Sequence, residues 1–377
     1  MSTQLFVPTY RVDECLAEIR ECLEVGWTGL GYKTVEFEKA WKQYTGFGYA
    51  HFLNSATAGL HLAVKVLKNR LGWGEDDEII STPLTFVSSN HAILYEGLRV
   101  VFADVDDYLC LDPKDVERKI TERTKAVMFV GLGGSSGQYE KIARLCRRNG
   151  LSLIVDAAHM AGTRLNGVHA GMDADATVFS FQAVKNLPTA DSGMLCFRRQ
   201  EDDEQARRLS WLGINKDTYS RSHSNQPYKW LYEVEQVGYK YHGNSIMAAL
   251  GLVQLRYLDA DNAYRQKLAA WYEGFFAGVE GVETVRHPQG CESSRHIFPI
   301  LVNHRDSVIL ALNQADVYPG VHYRDNTLYP MYAYADGDCP NARLKSERLI
   351  SLPMHLRMSY ADVETIARNV VSIVGRE

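Results

Sequence analysis

Cysteine pairing motifs are missing from this chain of 377 residues. Its seven cysteines are scattered, without a CxxC pair, at positions 15, 22, 110, 146, 196, 291 and 339. Small secreted domains that depend on disulfides carry a dense, even framework instead. The spacing excludes that class and predicts a reduced, cytoplasmic setting.

An excess of basic charge and long apolar runs are also missing. The chain has 41 Lys and Arg against 46 Asp and Glu, a net charge of -5, whereas binding to a phosphate backbone favours positive charge. Its N-terminus, MSTQLFVPTYRVDECL, lacks the basic start and apolar core of a signal peptide. No apolar run reaches the roughly 18 residues that span a bilayer. We therefore expect no nucleic-acid partner, no membrane association and no export.

Two common cofactor motifs are incomplete. Gly131, Gly133 and Gly134 resemble a dinucleotide loop, but the G-x-G-x-x-G pattern with a helix directly behind it is absent. Asp104 and Asp106 have no His or Cys at zinc spacing nearby, and an acidic strand end is usually solvated. A nicotinamide enzyme is disfavoured, and we predict no metal site.

Short apolar runs alternate with longer amphipathic stretches through the first half of the chain. The runs are residues 50–54, 78–81, 100–103, 126–130, 151–155, 176–181 and 194–197. This alternation predicts an α/β domain with a largely parallel sheet, on which ligands bind beyond the carboxyl ends of the strands. Five side chains fall at or just past such ends and are expected to share one pocket: Ser55, Thr85, Phe86, Asp156 and Ser180.

The pattern changes after about Asp259. A helix is predicted over residues 262–280, followed by an apolar run at 296–302 and a second helix at 306–315. We expect a large catalytic domain over residues 1–258 and a smaller α+β domain over 259–377.

The acid Asp156 and the lysine Lys185 carry the most chemical information. Asp156 ends an apolar run, and Lys185 follows the next run within an apolar segment. Pyridoxal 5'-phosphate (PLP) needs this pair, because a lysine amine forms a Schiff base with its aldehyde and a carboxylate keeps its pyridine nitrogen protonated. The alternatives are that Asp156 caps the following turn and that Lys185 is a surface charge.

Other residues suit the remaining parts of PLP. Ser55 and Thr57 open a predicted helix, whose N-terminus attracts phosphate, although either residue could simply cap it. Phe86 could stack on a pyridine ring or belong to the core. His159 could bond the phenolic oxygen of PLP or be structural. The hydroxyl of Ser180 could reach the phosphate.

These residues resemble the sugar-nucleotide aminotransferases of the DegT/StrS type, in the fold type I PLP superfamily. The resemblance runs through nearly the whole chain. The matching segments are residues 26–31, 35–38, 54–58, 85–87, 156–159, 180–186, 238–241, 248–255 and 320–323.

The resemblance implies a fold and a set of roles. The fold would be a large domain with a mostly parallel mixed sheet flanked by helices, plus a small C-terminal α+β domain. Lys185, Asp156 and His159 would be catalytic and would also contact PLP. Ala56, Thr57 and Ser180 would hold the phosphate, and Phe86 would stack on the ring. The chain would form a homodimer with active sites at the interface.

Other matching residues concern the partner subunit and the substrate. In the family the partner contributes a phosphate contact from the segment matching residues 238–245, for which Lys240 and Asn244 are the candidates here. His322, Tyr323 and Asp191 lie on the substrate side. Asp191 belongs to a departure, because the family usually has Gly/Ala-Glu-Gly-Gly where this chain has Ala-Asp-Ser-Gly at 190–193.

The expected activity is transfer of an amino group, with L-glutamate as donor, to a keto group of a nucleotide-linked deoxysugar. A lysine at position 185 favours transamination, because the dehydratase branch of the family has histidine there. Two alternatives stay open. One is a PLP enzyme of the same fold that acts on a keto-cyclitol or another small keto substrate, and the other is a regulatory relative without turnover.

Overall fold

The computed structural model describes residues 2–215 and 232–375. The α-helices of these ranges are α1 (Val12–Val25), α2 (Tyr32–Thr45), α3 (Ala56–Leu71), α4 (Val87–Leu94), α5 (Pro113–Arg118), α6 (Tyr139–Asn149), α7 (Gln200–Ser210), α8 (Ser245–Phe276), α9 (Arg305–Gln314), α10 (Pro340–Arg348) and α11 (Tyr360–Val374). The strands are β1 (Thr3–Gln4), β2 (His51–Leu53), β3 (Glu78–Ser81), β4 (Arg99–Phe102), β5 (Thr124–Val130), β6 (Ser152–Asp156), β7 (Arg164–Leu165), β8 (Val168–His169), β9 (Ala176–Ser180), β10 (Gly193–Phe197), β11 (Val282–Thr284), β12 (Cys291–Glu292), β13 (Phe298–Val302), β14 (Val317–Tyr318) and β15 (Leu349–Leu352).

A seven-stranded mixed sheet forms the centre of the fold, in the order β2-β10-β9-β6-β5-β3-β4. The strands β9, β6, β5, β3 and β4 are parallel, whereas β10 runs antiparallel to both of its neighbours. The parallel strands therefore end at the same edge of the sheet. The predicted strands are confirmed, each within two residues of its expected bounds.

Both faces of this sheet are buried, because each strand alternates its side chains between two apolar layers. On β6, Ile154 faces the layer that contains α3 and α4, while Leu153 and Val155 face the layer that contains α2 and α6. Such two-sided burial explains why β6 and β9 read as continuous apolar runs.

The C-terminal part contains an antiparallel sheet of order β11-β13-β15. Its core is shared with α9, α11 and the end of α8. The predicted helix over residues 262–280 is the second half of α8, which begins at Ser245 and ends at Phe276. This helix crosses the predicted boundary at 258/259, and the two-domain division stays a prediction.

Candidate active site

A cavity of about 440 Å³ opens at the carboxyl edge of the large sheet. Eleven of the thirteen predicted site residues line it, together with Thr85 and the unpredicted Phe6 and His296. The eleven are Ser55, Ala56, Thr57, Phe86, Asp156, His159, Ser180, Lys185, Asp191, His322 and Tyr323. Residues separated by more than 260 positions in the sequence thus meet in one place.

Asp156 is the last residue of β6 and is 5% exposed. The hydroxyl of Ser89 donates to its Oδ2 at 2.6 Å, and the backbone N–H of Ala158 donates to its Oδ1 at 3.1 Å. Burial raises the pKa of Asp156, and the two hydrogen bonds and the charge of Lys185 oppose that rise. The carboxylate is therefore held in one orientation at the cavity wall.

Lys185 lies in the loop between β9 and β10, where its backbone N–H donates to the carbonyl of Gln182 at 2.8 Å. Among the described residues, no acceptor lies within hydrogen-bonding distance of its amine. Burial lowers the pKa of Lys185 to about 8, and the charge of Asp156 opposes that shift. A substantial fraction of the amine is consequently unprotonated and nucleophilic near neutral pH.

The N-terminus of α3 supplies free backbone donors at the cavity. Ser55 caps the helix by accepting a hydrogen bond from the N–H of Ala58 at 3.1 Å. This is the capping role that the sequence offered as the alternative to phosphate binding. The N–H groups of Ala56 and Thr57 belong to the first turn, where a helix offers no internal acceptor. A Cβ on Gly193 would lie 2.6 Å from the nitrogen of Ala56, so glycine keeps this helix end uncovered.

Two aromatic residues and a histidine form another wall. Phe86 is 58% exposed, and its ring lies 6.0 Å from the ring of Tyr323, centroid to centroid. His159 accepts a hydrogen bond from the N–H of Gly133 at Nδ1, at 3.1 Å, and its Nε2 lies 3.2 Å from the hydroxyl of Tyr323. Burial, with the charges of Lys185 and His322, lowers the pKa of His159 well below its usual value.

The rim of the cavity carries an acid and a second histidine. Asp191 is exposed, and partial desolvation raises its pKa. His322 lies 2.9 Å from the hydroxyl of Ser351 through Nδ1, and burial lowers its pKa to about 4. Ala190, next to Asp191, has a φ of 143°, a conformation that favours glycine.

Lys240 and Asn244 do not line the cavity of their own subunit within the described residues. The ammonium of Lys240 lies 3.4 Å from the centroid of the Trp211 ring. The side chain of Asn244 caps α8 by accepting from the N–H of Met247 at 2.9 Å. Of the two, Asn244 already has a structural role.

Ser89, His296 and Phe6 are among the residues of the site that were not predicted. Ser89 contacts Asp156, and a signal for it exists, because it lies one helical turn after Thr85, whose hydroxyl is 2.9 Å away. His296 and Phe6 stack with ring centroids 5.3 Å apart. These two come from remote segments, and no local pattern brings them to the cavity.

Within the described ranges, no cluster of three or more His, Cys, Asp or Glu is arranged so that it could hold a metal ion. Asp104 instead accepts hydrogen bonds from the backbone N–H groups of Asn341 and Ala342, at 3.0 and 2.8 Å. Within residues 2–215 and 232–375, no helix combines the length and apolar character needed to cross a bilayer.

The groups that line the cavity match the groups that PLP needs from a protein. Lys185 offers an amine that has no acceptor within residues 2–215 and 232–375, and Asp156 offers a buried carboxylate in the same cavity. The uncovered N-terminus of α3 suits a phosphate group. The exposed face of Phe86 suits a flat ring.

Comparisons with known proteins agree with this geometry. The model of the DegT/DnrJ/EryC1/StrS aminotransferase family matches residues 10–371. The spore coat polysaccharide biosynthesis protein SpsC of Bacillus subtilis is 36% identical over 96% of this chain and 94% of its own length. The aminotransferase TlmJ from Streptoalloteichus hindustanus has a TM-score of 0.92 at 32% identity, with all of both chains covered.

The cofactor is documented for a further similar structure. The putative sugar aminotransferase Spr1654 from Streptococcus pneumoniae, solved in a PMP-form, has a TM-score of 0.91 at 29% identity, covering 98% of this chain and 99% of that one. It was also solved in a PLP-form. The chain belongs to the DegT/DnrJ/EryC1/StrS aminotransferase family and is a PLP-dependent transaminase.

Proposed function

We propose that the protein transfers an amino group from L-glutamate to a keto group of a nucleotide-linked deoxysugar. The observation that carries the proposal is the meeting of Lys185, Asp156 and the N-terminus of α3 in one cavity, within a family of aminotransferases. The sugar is supported by the names of similar proteins, a polysaccharide biosynthesis protein and a putative sugar aminotransferase.

Lys185 would act as nucleophile and proton carrier. PLP, when bound, supplies an aldehyde that takes up the amino group and a ring that withdraws electrons. With a pKa near 8, the Lys185 amine exists in both protonation states around neutral pH, so it can accept a proton and return it. Asp156, held by Ser89 and Ala158, would face the ring nitrogen and stabilise its protonated state.

The phosphate would lie at the N-terminus of α3. Ala56 and Thr57 offer backbone N–H groups there, and Ser180 adds a hydroxyl that lines the same cavity. The positive end of the helix dipole favours an anion at this position. Among the described lining residues, however, Lys185 is the only Lys or Arg.

We infer from this shortage of positive charge that a second copy of the chain completes the site. Lys240 is exposed, does not line its own cavity and holds its ammonium over the Trp211 ring. It is a better candidate than Asn244, whose side chain caps α8. Mixing inactive Lys185→Ala subunits with weakened Lys240→Ala subunits should restore part of the activity in mixed dimers. If mixtures of the two variants regain no activity, the idea of a shared site is contradicted. A sedimentation experiment that shows only monomers would contradict it too.

The substrate side would be formed by Asp191, His322 and Tyr323 at the rim. A carboxylate such as that of Asp191 accepts hydrogen bonds from sugar hydroxyl groups and repels phosphate. The nucleotide would therefore extend away from Asp191. Loss of this carboxylate in Asp191→Asn should raise KM for the sugar more than it lowers kcat.

The first test is the visible spectrum of the PLP-loaded protein before and after glutamate is added. A yellow band that disappears while 2-oxoglutarate forms supports the amino donor and excludes a regulatory relative without turnover. Lys185→Met, whose unbranched side chain is one atom shorter and lacks the amine, is the control and should give no such change. A spectrum unaffected by glutamate but bleached by another amino acid would overturn the choice of donor.

The acceptor is tested by adding keto substrates to the glutamate-treated protein. Return of the yellow band with nucleotide-linked ketosugars, and not with keto-inositols or free ketosugars, supports the proposal. Return with a keto-inositol alone would favour the cyclitol alternative.

A further inference from the structure

A second, small cavity adjoins the loop that carries Lys185. It is much smaller than the active-site cavity, and Phe6, Val184 and Lys185 belong to the walls of both. The lysine loop therefore contacts both cavities. The walls of the small cavity come from four parts of the chain: the N-terminal segment at residues 6–9, the lysine loop at 184–186 and 188, α8 at Asp261 and Arg265, and residues 354–356.

Arg265 brings a positive charge into the wall of the small cavity. It is only 6% exposed, and its Nη1 donates to the carbonyl of Met354 at 3.1 Å. Among the described residues, its Nε has no hydrogen-bond partner. Burial lowers the pKa of Arg265 to about 10, against the opposing charge of Asp261, so the guanidinium stays charged at neutral pH. A buried cation with an unused donor is costly unless an acceptor faces it.

Asp261 lines the same cavity, but its carboxylate is already engaged by another arginine. Arg11 donates to Oδ1 at 2.6 Å and to Oδ2 at 2.7 Å, which forms a bidentate ion pair. Arg11 and Arg265 together carry two positive charges against the one negative charge of Asp261. One positive charge is therefore in excess, and it lies on the side chain whose Nε has no partner within residues 2–215 and 232–375.

His355 adds a second unused donor to the small cavity. It is 7% exposed, and neither of its ring nitrogens has a hydrogen-bond partner in the part of the chain that the structure describes. Burial, with the charges of Arg265 and Arg357, lowers the pKa of His355, whereas Asp362 and the backbone of Gln4 oppose that shift. A neutral imidazole still carries one N–H, which requires an acceptor when it is buried.

We propose that the small cavity binds a monovalent anion such as chloride, between Nε of Arg265 and the ring of His355. One anion accepts from both donors and cancels the excess positive charge. A water molecule could also accept, but it would leave the buried charge uncompensated. The small size of the cavity suits a single ion better than an organic anion.

The anion would join two parts of the fold beside the lysine loop. Arg265 belongs to α8, and His355 follows β15 in the C-terminal part. The inference goes beyond the proposed function, because it involves neither PLP nor the two substrates. Its test therefore stands whether or not the enzyme uses glutamate or a sugar.

X-ray diffraction detects the ion directly. Crystals of the purified full-length protein are grown in sodium chloride and measured at a long X-ray wavelength, at which chloride scatters anomalously and water does not. We expect an anomalous peak within hydrogen-bonding distance of Nε of Arg265. A water molecule at that position, without an anomalous signal, would overturn the proposal. Chloride found only at the protein surface, an adventitious ion only, would overturn it as well.

Thermal melting tests the binding in solution. A ligand that binds the folded protein raises Tm as its concentration increases, so chloride should raise Tm along a saturating curve. Sodium methanesulfonate at the same ionic strength screens surface charges equally, but its anion is too large for the small cavity. Equal Tm values in the two salts would overturn the proposal.

Variants separate the small cavity from general effects of salt. Arg265→Met and His355→Phe each remove a donor and should lose the extra rise of Tm in chloride. The matched control is His169→Phe, because His169 is also buried but accepts from the N–H of Gly162 at Nε2 and lies 3.1 Å from the carbonyl of Ala170 at Nδ1. The control should lower Tm equally in both salts and so keep the chloride effect. A chloride effect that persists in either of the two donor variants would overturn the proposal.

Discussion

The hydroxyl of Ser89 donates a 2.6 Å hydrogen bond to Oδ2 of Asp156, and Ser89 is itself fully buried. The hydroxyl of Thr85 lies 2.9 Å from that of Ser89. Thr85 can therefore donate to Ser89 while Ser89 donates to the carboxylate, which forms a short chain of hydrogen bonds. A residue outside every predicted motif thus contacts the acid directly.

Ser89→Ala should raise the pKa of Asp156, because the variant removes a donor that favours the ionised carboxylate. A hydrogen bond to a charged group is worth roughly 1.5–3 kcal/mol, so PLP should bind about tenfold more weakly or worse. Equilibrium dialysis of PLP measures this. Ser81→Ala is the matched control, since Ser81 is buried and its hydroxyl has no partner among the described residues. Equal losses in both variants would mean that Ser89 matters only for packing.

Lys185→Met should stabilise the cofactor-free protein at pH 7, although it abolishes activity. The pKa of Lys185 is about 8 in the folded protein and near 10.5 when unfolded, so protonation opposes folding. This cost is fully present below pH 8 and is lost as the pH rises to about 10.5. Urea unfolding should give the variant an advantage of at most about 3 kcal/mol at pH 7, falling to zero near pH 10.5. An advantage independent of pH would contradict the shifted pKa.

Gly193→Ala should weaken PLP binding. The added Cβ would lie 2.6 Å from the nitrogen of Ala56 and 2.8 Å from the carbonyl oxygen of Phe179, which forces the N-terminus of α3 to move. Overpacking of this kind costs about 1–3 kcal/mol. In Gly274→Ala the new Cβ meets nothing within 4 Å on α8, so that control should gain up to about 1 kcal/mol of stability. Normal PLP affinity in Gly193→Ala would show that the helix end is not the phosphate site.

Ala190→Gly should stabilise the protein by about 1 kcal/mol, because a φ of 143° is strained for any residue with a Cβ. Differential scanning calorimetry would detect the higher Tm. The contrasting control is Ala311→Gly in α9, which should lose about 1 kcal/mol because glycine is a poor helix former. A lower Tm in Ala190→Gly would mean that the Cβ contributes more packing than it costs in strain.

The sequence predicted the sheet well because its strands are buried on both faces. Residues 78–81 are both the predicted strand and β3, and the acid at the end of β6 is where the run stops. Apolar runs of this kind depend on local composition alone. Because the parallel strands end at the same edge of the sheet, the strand assignments alone predict that Asp156, Phe86 and Ser180 lie close together.

The parts that the sequence did not predict depend on remote contacts. The ring of His159 accepts a hydrogen bond from the N–H of Gly133, which the sequence offered only as part of an incomplete dinucleotide loop. The sequence did not predict the first half of α8 as a helix, so the start of α8 at Ser245 was missed. This half packs Gly251 closely against Phe37. Neither relationship can be read from spacing.

The length of α8 has a mechanical consequence. Asn262, near the middle of this helix, accepts a 2.7 Å hydrogen bond from the side chain of Asn186, the neighbour of Lys185. Farther along, Tyr272 donates to the carbonyl of Pro353 at 3.0 Å inside the C-terminal core. One continuous helix therefore joins the lysine loop to that core, and the two can separate only if these buried hydrogen bonds break.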